Sequence, residues 1–472
     1  MMQDQLISRL NQLLHKYNSP QNQLGLCDFR QEADLKELLD LQTNEGNQNW
    51  DEIFGWIEKY LQYSPNTASL DFNNRMWSKA TLPSVLAEIV TATNHSDAST
   101  YESAPVATLM EKHLIIEMLK LVGFENGEGQ MTSGSSNANM IAMMCARNLY
   151  LKDTKTSGLY GNKKLISFVN EDAHYSFDKA ANILGLGSEN TVKVPVDEHG
   201  RMKIDELQSA MDKVLSNGDI VFFVAATAGT TVRGAFDSIE DVAALQDKYK
   251  FWLHLDGAWG GPTFLSPKLK DKFLKGLEKV DSFTFDFHKM PGIALICNMF
   301  LINKRRGILK TTCSAGNTNY IFHGDTEEIL PKNLGEFSLQ CGRKIDSLKL
   351  FLDWKFFGQA GIAKKIETYL SLAEHAEKYI NESKNLELIV KRESFNLCFR
   401  FKVPSHINSD EFNQNLRNSL LEKSIAMVGT GVIHKQLILR YVITNSDSTT
   451  ADIETFLNKV EKEGLELLSQ IA

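Results

Sequence analysis

DIVFFVAATAGTTVRGAFDSIEDVAALQDKYKFWLHLDGAW, residues 219–259, decides the fold. The stretch opens on an unbroken apolar run, DIVFFVAA (219–226), and nears its end on a second, FWLHL (251–255). Between them the residues from Ile239 to Tyr249 have helical spacing. Two short apolar runs that do not alternate with polar residues, separated by a helix, read as neighbouring parallel strands buried on both faces. Outward from this unit the series continues with LISFV (165–169) on one side and SFTF (282–285) and MFLI (299–302) on the other. Residues 71–340 therefore read as one large domain, a mostly parallel sheet covered by helices.

The flanks read differently. Leu6, Leu10, Leu13 and Leu14 recur at helical spacing, and residues 1–70 are expected to form an N-terminal helical segment. From 341 the pattern gives a long helix, SLKLFLDWKFFGQAG (347–361), and a helix ending near Ser383. LELIV, LCFRFKV and QLILRYVIT then read as strands, so residues 341–472 are expected to form a smaller α+β domain.

Bulk properties narrow the function. A net charge of −8 lacks the basic footprint that nucleic acid requires. It also opposes an anionic membrane surface, and no apolar run reaches membrane-spanning length. The first residues, MMQDQLISRLNQLLHKY, carry charge through their apolar positions and contain no signal-peptide core. The six cysteines are scattered without a CxxC pair, as expected of reduced thiols in a cytoplasmic protein.

In open α/β sheets, ligands bind beyond the carboxyl ends of the strands. After LISFV comes Asn170-Glu171-Asp172-Ala173-His174, and after DIVFFVAA comes Thr227. After FWLHL comes Asp256-Gly257-Ala258, and after SFTF comes Asp286-Phe287-His288-Lys289. Upstream, Thr132-Ser133-Gly134-Ser135-Ser136-Asn137 leads into an apolar helix, and a hydroxyl-rich helix N-terminus suits a phosphate. A phosphate cradle, an acid and a lysine at one sheet edge fit pyridoxal 5′-phosphate (PLP). His254 and Asp256 lack companion ligands at useful spacing, so no metal is expected.

These residues lie in segments that resemble the group II PLP-dependent amino-acid decarboxylases, whose members act on glutamate, aspartate, cysteine sulfinate or aromatic amino acids. The segments are TYESAPVATLME (100–111), TSGSSNAN (132–139), EDAHYSFDKA (171–180), ATAGTTVRGAFDSIEDV (226–242), HLDGAWGG (254–261), DFHKM (286–290), NYIF (319–322) and QCGRKIDSLKLFLDWKFFGQAG (340–361). They run in family order over roughly residues 70 to 445. The resemblance implies the fold-type I PLP architecture and a homodimer.

It also implies roles. Lys289 resembles the lysine that carries PLP as a Schiff base, and Asp256 the partner of the pyridine nitrogen. His174 resembles the histidine that stacks on the ring; Thr227 and Ala258 fall at cofactor contacts. Ser135, Ser136 and His288 resemble residues around the phosphate. Tyr320 matches a tyrosine that protonates the decarboxylated carbon, on a flap-like stretch, TTCSAGNTNYIFHGDTEE. Arg440 falls at a substrate-carboxylate position, and Arg75 stands where many members carry Gln in the substrate pocket. Two further positions depart from the pattern. Ser135 replaces a common Gly, and Asp286-Phe287 stands where Asn-Pro is common before His-Lys.

The expected reaction is α-decarboxylation of an acidic L-amino acid, with glutamate ahead of aspartate and cysteine sulfinate. Two arginines suit two carboxylates. The alternatives are a decarboxylase of aromatic or diamino substrates, and a silent PLP-binding homologue. The intact Lys, Asp, His and Tyr set argues against silence.

Overall fold

A computed structural model describes residues 2–18, 25–39, 41–42, 46, 48–160, 163–314, 316, 318, 320–323 and 330–471. Asn319 of NYIF and residues 315, 317 and 324–328 of the flap-like stretch lie outside the described residues. No helix among the described residues is long and apolar enough to cross a membrane.

The chain divides into two compact units. One comprises residues 80–371 and 392–395; the other comprises 1–79, 372–391 and 396–472. The boundaries at 79/80 and 371/372 lie 9 and 31 residues beyond the borders read from the sequence, and residues 1–79 share a unit with the C-terminal residues.

The first unit is built on a seven-stranded sheet. Its strands are β1 (Glu128–Thr132), β2 (Leu165–Asn170), β3 (Thr191–Val194), β4 (Ile220–Thr227), β5 (Trp252–Gly257), β6 (Ser282–Asp286) and β7 (Asn298–Ile302). Their order is β1-β7-β6-β5-β4-β2-β3. Every neighbouring pair is parallel except the two that involve β7. All five strands read from apolar runs are present, and the sheet is mostly parallel as expected. Strands β2, β5, β6 and β7 are buried throughout, which is why they read as continuous apolar runs. Phe222, Phe223, Phe283, Phe285 and Phe300 are fully buried on this sheet. Each such ring contributes about 2–3 kcal/mol from burial. Helix Ser135–Tyr150 packs on the sheet and buries Ala138, Ile141, Ala142 and Cys145.

Two helices differ from the sequence reading. The helix expected over 239–249 is split at Leu245, whose N–H bonds back to Val242 O in a tightened turn. The long helix spans Ser347–Glu382 but is interrupted at Gly358 (φ 64°, ψ 176°), a conformation that glycine adopts without steric cost.

The second unit carries a five-stranded sheet in the order 72–73, 427–433, 436–442, 396–401, 386–388. His434 and Lys435, both at positive φ, form the two-residue turn of its hairpin. Helices Ser409–Glu422 and Thr450–Ile471 belong to this unit, and Phe456 of the latter stacks on Tyr441 with ring centroids 4.4 Å apart.

Candidate active site

Five parallel strands of the large sheet end on one edge, and four of them deliver the residues singled out above. In register, Thr227 at the end of β4 pairs with Asp256 of β5, which pairs with Thr284 of β6. Asn298, at the start of antiparallel β7, lies opposite both Asp286 and Thr132. The sheet thus sets Thr227 and Asp256 side by side, with Asp286 two residues past the β6 partner of Asp256 and Lys289 three residues beyond β6.

Asp256 is buried and oriented from both sides. Its Oδ1 accepts the Ala258 N–H (3.1 Å), and its Oδ2 accepts Nδ2 of Asn139 (2.9 Å). The Asn139 amide is itself fixed by a chain of donors. Trp252 Nε1 donates to Ser282 Oγ (2.8 Å), and Ser282 Oγ lies 2.8 Å from His254 Nδ1. His254 Nε2 lies 2.9 Å from Asn139 Oδ1. An indole can only donate and a carboxylate only accept, so each proton in the chain points toward Asp256. Full burial pushes His254 down to about 3, which keeps the ring neutral as this chain requires.

His174 follows β2. Its Nδ1 accepts the Ser176 N–H (3.3 Å), which leaves the hydrogen of the neutral ring on Nε2. Burial pushes its pKa below the usual value and outweighs the pull of Asp256. Thr227 is also buried, and its Oγ1 has no hydrogen-bond partner among the described residues.

The two adjacent serines separate. Ser135 is buried and donates its hydroxyl to Asp286 Oδ1 (3.0 Å). Ser136 is exposed at the start of the same helix, where the first amides have no partner within the helix. Gly134 before them (φ 115°, ψ 162°) adopts a backbone conformation open to glycine alone. Asp286 also accepts Nδ2 of Asn298 (2.7 Å), and its Oδ2 lies 3.2 Å from Lys289 Nζ. His288 is buried with its Nδ1 against the backbone of Cys297, and its Nε2 lies 3.7 Å from Asp286.

Other residues stand apart. Tyr320 is 79% exposed, and no hydrogen bond joins it to Lys289 among the described residues. Arg75 and Arg440 belong to the other compact unit. There Arg440 is buried, its Nη2 donates to Asn74 O (2.6 Å), and the side chain packs on Gly429. Burial lowers the Arg440 pKa, and the charge of nearby Arg75 lowers it further. Arg75 is exposed.

Asn139, His254 and Asn298 were not singled out as site residues. Asn139 had a signal, since it lies four residues after Ser135 on the same face of the helix. Asn298 had none, because its partners are 12 and 166 residues away.

The residues present fit PLP. The partnerless Thr227 hydroxyl, the oriented Asp256 carboxylate, the exposed helix start at Ser136 and Lys289 are the kinds of group that its ring, ring nitrogen, phosphate and aldehyde need.

Residues 33–402 match the family described as the pyridoxal-dependent decarboxylase conserved domain. The chain is 31% identical over 453 residues to human cysteine sulfinic acid decarboxylase, covering 94% of this chain and 92% of the relative. It is 29% identical over 470 residues to acidic amino acid decarboxylase GADL1 of Xenopus tropicalis, covering 97% and 91%. The crystal structure of mouse CSAD in apo form matches with a TM-score of 0.92 at 29% identity, over 98% of each chain. With a sheet edge that fits the cofactor and a family match over most of its length, the chain belongs to the fold-type I pyridoxal-dependent decarboxylases and is a PLP-dependent amino-acid decarboxylase.

Proposed function

We propose that this enzyme removes the α-carboxylate of an acidic L-amino acid, and that Lys289 is the residue to which PLP attaches. The observation that carries the reading of the site is the convergence of Asp256, Thr227, His174 and Lys289 on one sheet edge beside an exposed helix N-terminus. When bound, PLP supplies a conjugated ring that accepts the electron pair left as CO₂ departs.

The chain's own residues do the rest. Asp256, held by Ala258 and Asn139, offers a fixed negative acceptor to a ring N–H and so keeps that proton in place. His174 presents a flat, neutral ring for stacking. The Thr227 hydroxyl supplies a hydrogen bond to the ring's substituents. Ser136 and the amides at the start of its helix take the phosphate, together with the backbone N–H of Ser135, while the Ser135 hydroxyl stays on Asp286. His288 stiffens the turn that bears Lys289. Tyr320 delivers a proton to the substrate's α-carbon after CO₂ leaves. An exposed phenol is free to be brought over the site, by its own segment or by a second copy of the chain.

Arg440 and Arg75 are assigned to the substrate's acidic groups. Relatives named for cysteine sulfinic acid and for acidic amino acids support an acidic substrate. The relative named for cysteine sulfinic acid also moves cysteine sulfinate ahead of the glutamate expected from sequence. The active form is proposed to be a homodimer. An exposed apolar stripe on two helices supports it, comprising Leu82, Leu86, Ile89 and Val90 on Leu82–Asn94 and Val106 and Leu109 on Pro105–Val122. A cytoplasmic location is proposed from six cysteines scattered without disulfide spacing.

The test is CO₂ release by the PLP-loaded enzyme from cysteine sulfinate, aspartate, glutamate, tryptophan and 2,4-diaminobutyrate. Cysteine sulfinate is expected to give the highest kcat/KM. Arg440→Met should cost about 2–5 kcal/mol in kcat/KM on the acidic substrates. Faster turnover of tryptophan or diaminobutyrate, or an Arg440→Met enzyme equal to wild type on every acid, would refute the acidic-substrate assignment.

A further inference from the structure

Position 286 carries a carboxylate where Asn-Pro is common before His-Lys, and its surroundings use both oxygens. Oδ1 is taken by two neutral donors, the Ser135 hydroxyl at 3.0 Å and Asn298 Nδ2 at 2.7 Å. Oδ2 is left for Lys289, whose Nζ lies at 3.2 Å, while the His288 ring places Nε2 at 3.7 Å. An asparagine could keep the first pair of bonds, but it would turn an NH₂ group toward the lysine nitrogen and leave its charge without a counter-ion. The carboxylate is only 2% exposed and the lysine side chain 21%, so water screens the interaction weakly.

We propose that Asp286 is a positioning residue that acts through Lys289, serving as the resident counter-ion of the Lys289 nitrogen both in the free protein and once PLP is attached. The carboxylate holds the nitrogen in a defined place, facing a fixed negative partner. The role rests on the reading of Lys289 as the residue to which PLP attaches.

The other groups around the pair do not supply this charge. Asp256 carries two hydrogen bonds of its own and is assigned to the ring nitrogen. His174 is held toward its neutral form by burial, and so is His288. Lys349, from helix Ser347–Glu382, is paired with Glu88 at 2.8 Å and Asp346 at 2.7 Å. Burial pushes the Cys297 thiol well up, so it stays uncharged. Burial also pushes the Asp286 carboxyl upward, but the neighbouring His288 and Lys289 side chains and the Asn298 hydrogen bond outweigh it and hold the group below its usual value. Asp286 is therefore an anion at neutral pH.

The experiment compares wild type with Asp286→Asn and Asp286→Ser, two uncharged replacements, each checked for a cooperative melt. The apoproteins are mixed with PLP at neutral pH, the adduct is trapped with borohydride at intervals, and the labelled peptide is identified. The visible band of the loaded proteins is then followed from about pH 6 to about pH 10. With the carboxylate gone, the visible band, which needs a proton on the linking nitrogen, should be lost at a pH lower by about 1 unit, a factor of ten. Label on Lys289 with an unchanged band midpoint in both variants, or a shift toward higher pH, overturns the counter-ion role while leaving Lys289 assigned. Label on a different lysine overturns the assignment of Lys289 and the counter-ion role with it.

Discussion

His254 shows how completely a residue's chemistry can be set by its neighbours. In sequence it is one half of an H-x-D pair. In the fold it is fully buried between Ser282 and Asn139, and it transmits the donor direction of Trp252 to Asp256. Its neutral state has a consequence for stability. The unfolded chain binds a proton on this ring near pH 6.5, whereas the folded chain resists until about pH 3. A depressed histidine pKa therefore favours the fold above about pH 6.5, and the advantage is lost as the pH falls through this window. The full loss is about 4–5 kcal/mol, from roughly 3.5 pH units at about 1.4 kcal/mol each. Denaturant melts at successive pH values should show wild type weakening over this range. His254→Phe places a ring of similar size beside Phe223 and Phe300, which already flank the site. It should start less stable but lose less on acidification. Equal pH slopes for the two proteins would mean that His254 does not titrate as the fold requires.

At the scale of elements, a buried ion pair joins two of the segments that carry the family resemblance. Glu111 ends TYESAPVATLME, and Arg343 lies in QCGRKID. Arg343 Nη2 meets Glu111 Oε1 at 2.6 Å with both side chains buried. Arg343 also donates to Ala98 O and Met131 O, and Glu111 accepts the Met131 N–H. Helix Pro105–Val122 and strand β1 are thereby tied to the chain that leads into helix Ser347–Glu382. Removing either partner strands the other in a dry site. Glu111→Gln or Arg343→Met should each cost about 3–5 kcal/mol in urea melts, and the double variant should cost clearly less than their sum. Additive costs would show that the two groups act separately. Strand β1 itself escaped the sequence reading because its residues are polar. Glu128 is buried only because its carboxylate accepts the Gly307 and Leu309 N–H groups at 2.6 and 2.7 Å, and Gly129 leaves space that Leu301 and the Phe300 carbonyl fill. A buried polar strand has no apolar periodicity to detect.

At the scale of the whole molecule, the exposed stripe on helices Leu82–Asn94 and Pro105–Val122 is the feature that a single chain leaves unexplained. Leu82, Leu86 and Ile89 recur at intervals of four and three, so they share one helix face. Covering such a face with a second copy removes apolar surface from water at about 25 cal/mol per Å². Leu86→Lys combined with Ile89→Glu should convert a dimer to a monomer in sedimentation analysis, and activity should fall with the loss of the dimer. A dimer of unchanged strength would show that the stripe is not the interface.

The sequence alone determined the parallel core of the sheet and the identities of Thr227, Asp256 and Lys289 at its edge, for a local reason. Strands buried on both faces must be continuous apolar runs, and the residues that reach the edge follow those runs within a few positions. The tertiary structure alone decided which hydroxyl turns inward, since Ser135 and Ser136 are adjacent in sequence but about 100° apart around a helix. It also decided the pairing of Asn139 with Asp256, 117 residues away, and of Ser135 with Asp286, 151 residues away. Hydrogen bonds at such separations depend on which strands and helices become neighbours, and no local pattern of residues records that choice.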